Sequence, residues 1–303
     1  MSKSLTYGGE AVFDGVMMRG QRVWSLAVRL PDGSIRVEVK PVPAWMSFVR
    51  RVPLFRGMVS LLASVVLGTR ALQESLSFRD DSRDVASLKN RLLTVFSALL
   101  IVGAFLMIPL WIAKALVPES SAVVFSVVEA VIRLVLFLGY LAVLGTSKDV
   151  QEVFAYHGAE HQTIYTREAG EELTPENVVK HSRRHPRCGS AFLLLVFVAG
   201  TLAHALVGVH STGILALSRI LLMPLITGCV YEFLRLTSDH LHTRWAKVLA
   251  VPGLALQRLT TCPAREDQIE VAIAALDAVV EADGAAVAPK NVTVEHIPLA
   301  AAS

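Results

Sequence analysis

Long apolar segments constrain the fold of this chain more than any other feature. They lie between residues 91 and 146 and between residues 189 and 236, and each is long enough to cross a lipid bilayer. Over the whole chain 53% of the residues are hydrophobic and 18% are charged, whereas an ordinary soluble domain has about 25% charged residues. We therefore expect an integral membrane protein.

The apolar regions predict four transmembrane helices in two antiparallel hairpins. The first hairpin has spans near residues 92–117 and 122–145, and the second has spans near residues 191–209 and 213–236. The connection inside each hairpin contains no Lys or Arg, whereas residues 1–90 contain thirteen. Because positive residues favour the cytoplasmic side, we expect a multi-pass protein of the bacterial inner membrane. It would contact the lipid bilayer and have both termini and the central loop in the cytoplasm.

The remaining sequence predicts a mainly α-helical membrane protein with a small N-terminal β unit and amphipathic cytoplasmic helices. Residues 26–30 and 35–39 flank the turn sequence Pro31-Asp32-Gly33-Ser34, which predicts a β-hairpin. Two strands alone are marginally stable, so this unit must pack on another element. The expected regions are 1–43 (β unit), 44–90 (interfacial or re-entrant helix and linker), 91–146 (first hairpin), 147–190 (cytoplasmic His/Cys loop), 191–236 (second hairpin) and 237–303 (cytoplasmic helices and tail).

Three segments outside the spans have patterns of their own. In residues 44–78, Arg50, Arg51 and Arg56 precede a short apolar stretch at 58–67, which favours an interfacial or re-entrant helix over a fifth span. Residues 244–259 predict a second surface-lying helix, interrupted at Pro252-Gly253. Residues 266–282 predict an amphipathic helix. The last twenty residues are rich in Ala and Val, and we expect them to be loose.

The sequence His157-Gly158-Ala159-Glu160-His161 carries the first candidate chemistry. Two histidines four residues apart project from one face of a helix, and Glu160 lies beside the second. This H-x-x-E-H pattern is the reversed order of the zinc-protease helix motif, in which both histidines bind metal and the glutamate activates water. The alternative is a solvated helix face that happens to carry two histidines.

A second cluster of metal-binding residue types follows at His185 and Cys188. Imidazole and thiolate together suit zinc or another divalent transition metal. A closed set of His157, His161, His185 and Cys188 would be structural, whereas three ligands with Glu160 beside an open position would be catalytic. The sequence leaves both alternatives open.

Arginines crowd the same loop at positions 183, 184 and 187. They would favour an anionic substrate, lipid headgroup or RNA phosphate, with Arg187 as the group that orients the anion. The alternative is that these charges only set the membrane topology.

Ionisable residues also occur inside the predicted spans. Glu129 and Arg133 are four residues apart in the second span, and we expect them to neutralise each other. Glu232 lies near the cytoplasmic end of the fourth span, where it is a candidate third metal ligand.

Several motifs along the chain resemble those of one family of bacterial membrane proteins. In chain order they are Tyr-Gly-Gly at 7–9, Gly-Val-Met-Met-Arg-Gly at 15–20, and the segments 156–161, 168–174, 185–189, 259–261 and 268–272. Motifs of this length and order cover nearly the whole chain. The sequence is thereby similar to the YqhQ-like family of integral membrane proteins.

This resemblance implies a metal-dependent enzyme, the only label that family members commonly carry. It also implies contact with the ribosome or the translocon, because members are encoded beside translation-termination and ribosomal genes. Asp14 stands where relatives have Glu, which keeps the carboxylate but shortens its reach. Cys262 stands where they more often have Arg, which argues against Cys262 as a metal ligand.

The leading hypothesis from the sequence is a metal-dependent membrane hydrolase with a site that faces the cytoplasm. His157 and His161 are its expected ligands, His185 or Cys188 completes the set, and Glu160 is the general base. The alternative is a non-enzymatic accessory or scaffold protein, associated with the translocon or ribosome, whose His/Cys cluster is structural. A transporter has weaker support, since no pair of broken helices is visible. The substrate and a homo-oligomeric state stay open.

Overall fold

The structure is a computed structural model that describes residues 7–48, 55–79, 88–117, 122–207, 212–284 and 292–297. In chain order its elements are β1 (Gly8–Val12), β2 (Gly15–Arg19), β3 (Val23–Arg29), β4 (Ile35–Pro41), α1 (Ala44–Phe48), α2 (Phe55–Arg79), α3 (Leu88–Leu116), α4 (Ala122–Leu144), α5 (Lys148–Ala169), α6 (Pro175–Val178), α7 (Gly189–Val207), α8 (Thr212–Asp239), α9 (Arg244–Thr260), α10 (Glu266–Gly284) and β5 (Val292–Ile297).

The five strands form one antiparallel sheet in which each strand pairs with the next. β3 and β4 confirm the predicted hairpin, and Gly33 at their turn has φ +87°, a conformation that glycine adopts without steric cost. The expectation of a loose C-terminal tail is wrong for Val292–Ile297, because these residues form β5 on the outer edge of β4. The open edge of β4 offers unpaired backbone groups, and Val-Thr-Val is a β-prone sequence.

Different helices cover the two faces of the sheet. On one face Val16, Met18 and Ala27 pack against α5 and α10. On the other face Met17 and Leu26 pack against α2. Because neighbouring residues of a strand point to opposite faces, β2 and β3 are mostly apolar, and the buried hydroxyl of Ser25 on β3 donates to the carbonyl of Ala275 on α10. The β unit thus packs on other elements, as its small size requires.

The end of α10 fixes the turn between β2 and β3. The Asp283 carboxylate accepts hydrogen bonds from the backbone N–H groups of Gln21 (2.7 Å), Arg22 (2.9 Å) and Val23 (3.3 Å). Gly20 in the same turn lies so close to this carboxylate that a Cβ atom would clash with it. The C-terminal helix is therefore part of the same folded unit as the N-terminal sheet.

Three helices of the described residues are long and apolar enough to cross a membrane. They are Val95–Leu116 in α3, Val123–Leu144 in α4 and Ile220–Asp239 in α8. α7 is also apolar, but its apolar part, Gly189–His204, is shorter. The predicted end of that span, at residues 208–209, lies outside the described residues. The protein is mainly helical, and these helices indicate a membrane protein.

The helix α2 is not among the candidate spans found in the described residues. Its residues Ala63 and Leu67 pack on the sheet, whereas Leu62 and Val65 on the other side are exposed. A helix with one packed and one exposed apolar face can lie at a membrane surface, and that position stays a prediction. Residues 80–87, in the predicted linker, lie outside the described residues.

The helices α9 and α10 occupy the predicted positions near the C-terminus. α9 is continuous from Arg244 to Thr260, so the expected interruption at Pro252-Gly253 is wrong. Pro252 is on the exposed side of the helix, and Gly253 packs closely against Ala191 of α7. α10 packs on the sheet through an apolar face, as its amphipathic sequence predicts.

Two ion pairs involve charged residues of the apolar helices. Glu129 and Arg133 form a buried ion pair within α4, which confirms their predicted mutual neutralisation. Arg56 at the start of α2 donates hydrogen bonds to both carboxylate oxygens of Glu232 on α8. This pairing argues against Glu232 as a metal ligand, because an arginine already occupies both oxygens.

Candidate metal centre

The helix α5 confirms the predicted helical spacing of His157 and His161, and the fold brings Cys188 to them. Nitrogen atoms of the two imidazoles and the Cys188 Sγ atom all lie within 4.8 Å of one another. His157 is half-buried, and the other two residues are buried. The three side chains therefore form a compact His/His/Cys cluster, and not the solvated helix face that was the alternative.

Backbone carbonyls orient both histidines. The Nδ1–H group of His157 donates to the carbonyl oxygen of Thr260 (2.8 Å), and that of His161 donates to the carbonyl oxygen of Arg183 (2.7 Å). A carbonyl oxygen can only accept, so the proton of each neutral ring is on Nδ1 and the lone pair is on Nε2. Metal-binding histidines in proteins are held by this kind of hydrogen bond. The cluster thus presents two oriented imidazole lone pairs.

The sulfur of Cys188 faces these lone pairs. Its Sγ atom lies 3.2 Å from Nε2 of His157. Zinc–nitrogen bonds of about 2.0–2.1 Å and zinc–sulfur bonds of about 2.3 Å separate tetrahedral ligand atoms by roughly 3.5 Å. The Ser190 Oγ atom lies 3.2 Å from the sulfur, and the Ser190 N–H group is directed at it from 3.5 Å. The two imidazole nitrogens and the sulfur, at these spacings, fit a zinc ion.

Glu160 is buried beside the cluster. Its Oε2 atom lies 3.3 Å from Nε2 of His161, and its carboxylate accepts a hydrogen bond from the Gly9 backbone N–H. A Cβ atom at Gly9 would lie only 2.7 Å from Glu160 Cγ, so this approach of β1 to α5 requires glycine. Burial raises the pKa of the Glu160 carboxyl and lowers the pKa of the His161 imidazole. The imidazole shift favours the neutral ring, which is the form that binds metal. The raised carboxyl pKa makes the ionised Glu160 side chain a stronger proton acceptor.

His185 lies next to the cluster but outside the group of three. Its ring centre is 5.8 Å from that of His161. Its Nε2 atom is 3.4 Å from Glu168 Oε2, and its Nδ1 atom accepts the Arg187 N–H group (3.3 Å). Gln257 holds the His185 backbone, since it accepts from the N–H group (2.7 Å) and donates to the carbonyl (2.8 Å). Both ring nitrogens of His185 therefore have partners within the protein, and its role as a ligand stays a prediction.

Arg187, the predicted anion-orienting residue, forms an ion pair with Glu168. Burial lowers the pKa of the Arg187 guanidinium, and the Tyr165 hydroxyl opposes this effect. An anion that approached Arg187 would have to compete with a carboxylate already in contact with it. The role of Arg187 in substrate binding therefore stays a prediction.

Sequence reasoning missed the residues that hold the cluster from outside. Thr260 and Gln257 lie on α9, about a hundred and about seventy residues from their partners in the chain. In the sequence, Thr260 belongs to the motif at 259–261, which only the family resemblance marks. The sequence signal for Gln257 is a glutamine that follows the apolar residues Leu254, Ala255 and Leu256. Cys262 is close to α5, but within the described residues it is not part of the His/His/Cys group.

Comparison with known proteins identifies the family. Residues 52–282 match the family described as "Protein of unknown function (DUF1385)". The chain is also 32% identical over 286 residues to the protein named "Uncharacterized protein YqhQ" of Bacillus subtilis (strain 168). This match covers 88% of this chain and 90% of that protein. The chain belongs to this YqhQ-like family. No solved structure matches the chain.

Family membership confirms the resemblance seen in the sequence motifs. The family match includes α5, the loop that carries Cys188, and α9, so all three elements of the His/His/Cys cluster lie within it. The names of the family and of the relative state no activity, and the chemistry of the site must be argued from its geometry.

Proposed function

We propose that this protein is a metal-dependent membrane enzyme, a hydrolase, that binds zinc or another divalent transition metal through His157, His161 and Cys188. The observation that carries the proposal is the pair of Nδ1–H hydrogen bonds to Thr260 and Arg183, which direct both Nε2 lone pairs toward the sulfur. Two imidazoles and one thiolate form a three-ligand set, which in zinc enzymes leaves one position open.

The residues around the cluster have distinct chemical roles in this proposal. A bound zinc ion supplies Lewis-acid chemistry and makes water a nucleophile at neutral pH. Glu160 would accept a proton as general base, because its carboxylate oxygen is 3.3 Å from a ligand nitrogen and yet not part of the ligand group. Arg187 would orient an anionic substrate if that substrate displaces Glu168 from the ion pair.

The proposal includes four transmembrane helices, with α7 as the additional span and with both termini in the cytoplasm. The three long apolar helices support it, as does the absence of Lys and Arg from the two short connections. The site would then lie at the cytoplasmic ends of α4, α7 and α8. A fluorescent protein fused to the C-terminus, which folds only in the cytoplasm, tests the orientation, and a dark fusion contradicts it.

A structural metal site in a non-enzymatic accessory protein is the second candidate. The observation that favours it is the burial of His161 and Cys188, together with the way the cluster joins α5, the loop before α7 and the end of α9. A metal at this junction would stabilise the cytoplasmic layer by connecting segments that are distant in sequence.

Metal content of the purified full-length protein tests the site. We expect about one equivalent of zinc in the wild type and none in the His157→Ala/His161→Ala variant. The matched control is His181→Ala/His242→Ala, which removes two histidines from outside the cluster and should keep the metal. Equal metal in the two variants, or none in the wild type after reconstitution with several ions, would refute the proposal.

The substitution Glu160→Gln separates the two candidates. For a catalytic site we expect this variant to keep its metal and thermal stability but to lose the cellular function measured by complementation of a deletion strain. For a structural site, Glu160→Gln should complement, whereas Cys188→Ala should lose both metal and thermal stability.

A further inference from the structure

The helix α9 lies against the ends of the membrane helices. Four residues separate its start at Arg244 from the end of α8 at Asp239, and it contacts α4, α7 and α8. Gly253 in its middle packs against Ala191, in the first turn of α7, where an added Cβ atom would lie 2.5 Å from the alanine Cβ. The helix therefore crosses α7 at the point where that apolar helix begins.

One side of α9 is an exposed apolar stripe. A helix of 17 residues with 3.6 residues per turn places positions 245, 248, 249, 252 and 259 on one face. That face and its border carry exposed apolar side chains, namely Trp245, Val248, Leu249, Val251, Pro252 and Leu259. A contiguous apolar surface of this kind marks an interaction site.

The charge of α9 indicates which partner covers the stripe. The helix contains Arg244, Lys247 and Arg258, all exposed, and no acidic residue. The three cations lie along one border of the apolar stripe, as in helices that lie on membranes. Anionic phospholipid headgroups complement such a border, and the adjoining spans already bring α9 to the bilayer.

The buried side of α9 and its C-terminal end contact the residues around the His/His/Cys cluster. Gln257 bonds the backbone of His185, and the carbonyl of Thr260 accepts the Nδ1–H group of His157. The cluster and the apolar stripe thus lie on different faces of the same helix.

We propose that α9 lies in the plane of the membrane, with its apolar stripe in the headgroup–acyl boundary of anionic phospholipids, and so fixes the His/His/Cys cluster at the membrane surface. The inference rests on the packing, exposure and charge of α9, and it holds whether or not the cluster binds metal. A substrate or partner of the cluster would then be reached at the lipid surface.

The four tryptophans of the chain provide the test. Trp24 is 3% exposed within the sheet, whereas Trp45, Trp111 and Trp245 are 43%, 58% and 44% exposed. Three full-length variants keep the buried Trp24: Trp45→Phe/Trp111→Phe/Trp245→Phe retains it alone, Trp45→Phe/Trp111→Phe adds Trp245, and Trp45→Phe/Trp245→Phe adds Trp111. Each is placed in nanodiscs of phosphatidylglycerol and phosphatidylcholine, with or without bromine near the glycerol end of the acyl chains.

We expect bromolipid to quench the fluorescence of Trp245 several-fold more strongly than that of Trp24. Trp111, on the span α3, is the positive control. In the Trp245 background, Val248→Asp should reduce this quenching by at least half, whereas Val179→Asp, at a valine of similar exposure (58% against 67%) in the loop before Cys188, should not change it. Trp245 fluorescence that resists bromolipid while Trp111 is quenched would overturn the proposal and leave the stripe to a protein partner. Quenching that Val248→Asp leaves intact would also overturn it.

Discussion

Glu10 provides a quantitative test of how the sheet, α2 and α5 meet. Its side chain on β1 faces α2, where the Ser64 hydroxyl donates a hydrogen bond to the carboxylate. The carboxylate lies so close to Gly68 that a Cβ atom there would clash with it. Arg19 is the nearby cation, and Glu160 is a nearby second carboxyl. Burial is the largest effect, and it raises the pKa of Glu10 from 4.5 to about 7. We predict that the substitution Glu10→Gln removes a large pH dependence of the stability.

The sign of the pH dependence that Glu10 gives to the unfolding free energy follows from proton linkage. A carboxyl with a higher pKa in the folded state keeps a proton that the unfolded state releases, so stability is greatest below pH 4.5 and falls as the pH rises through about 7. The full shift corresponds to about 3.4 kcal/mol, at 1.36 kcal/mol for each of 2.5 pKa units. Between pH 5 and pH 8 the expected loss of unfolding free energy is about 2.5 kcal/mol.

Thermal unfolding in nanodiscs at pH 5, 6.5 and 8 measures this effect. A difference of about 2.5 kcal/mol should move the unfolding midpoint by roughly 5 °C or more. Other groups also titrate, so the quantity of interest is the wild-type shift minus the Glu10→Gln shift. The exposed Glu172→Gln is the matched control and should behave as the wild type. Equal pH dependence in wild type and Glu10→Gln would refute the raised pKa of the Glu10 carboxyl.

Three further substitutions test other contacts of the fold and the cluster. Gly158→Ala should cost about 1–3 kcal/mol of unfolding free energy and reduce the zinc content, because the added Cβ would clash with the carbonyl of Cys262. The control Gly139→Ala, with open space around it, should change neither quantity. Asp283→Ala should lower the unfolding free energy by roughly 2–3 kcal/mol, since three N–H groups lose a charged acceptor, measured by thermal unfolding. Cys188→Ser should keep the fold but weaken zinc binding at least tenfold in a chelator competition, as a hydroxyl replaces a soft ligand.

Elements whose signal lies within one short stretch of the chain could be predicted from the sequence. The hairpin of β3 and β4 was visible because its turn sequence lies between two short strands. The helix α5 was visible because His157 and His161 have helical spacing within an uninterrupted polar segment. The apolar spans were visible from composition alone, and three of them reappear as long apolar helices in the described residues. In each case the signal lies within about thirty consecutive residues.

Contacts between distant segments could not be predicted in this way. β5 pairs with β4 although more than 250 residues separate Val292 from Val39. No local pattern in an Ala- and Val-rich tail indicates which strand edge it meets. The same limit applies to Asp283, whose carboxylate caps a turn some 260 residues earlier. The N-terminal and C-terminal segments form one unit only because both pack on the same sheet.

The His/His/Cys cluster combines both kinds of information, which is why its residue types were predictable and its number of ligands was not. Imidazole spacing on α5 is a local property, and it indicated His157 and His161 directly. The choice between three and four ligands depends on what the remaining nitrogens contact. Glu168 and the Arg187 N–H group contact the two ring nitrogens of His185. Backbone carbonyls hold the Nδ1 atoms of the two α5 histidines, whose Nε2 atoms face Cys188 and Glu160. The proposed three-ligand set with Glu160 beside it depends on these contacts, which exist only in the folded chain.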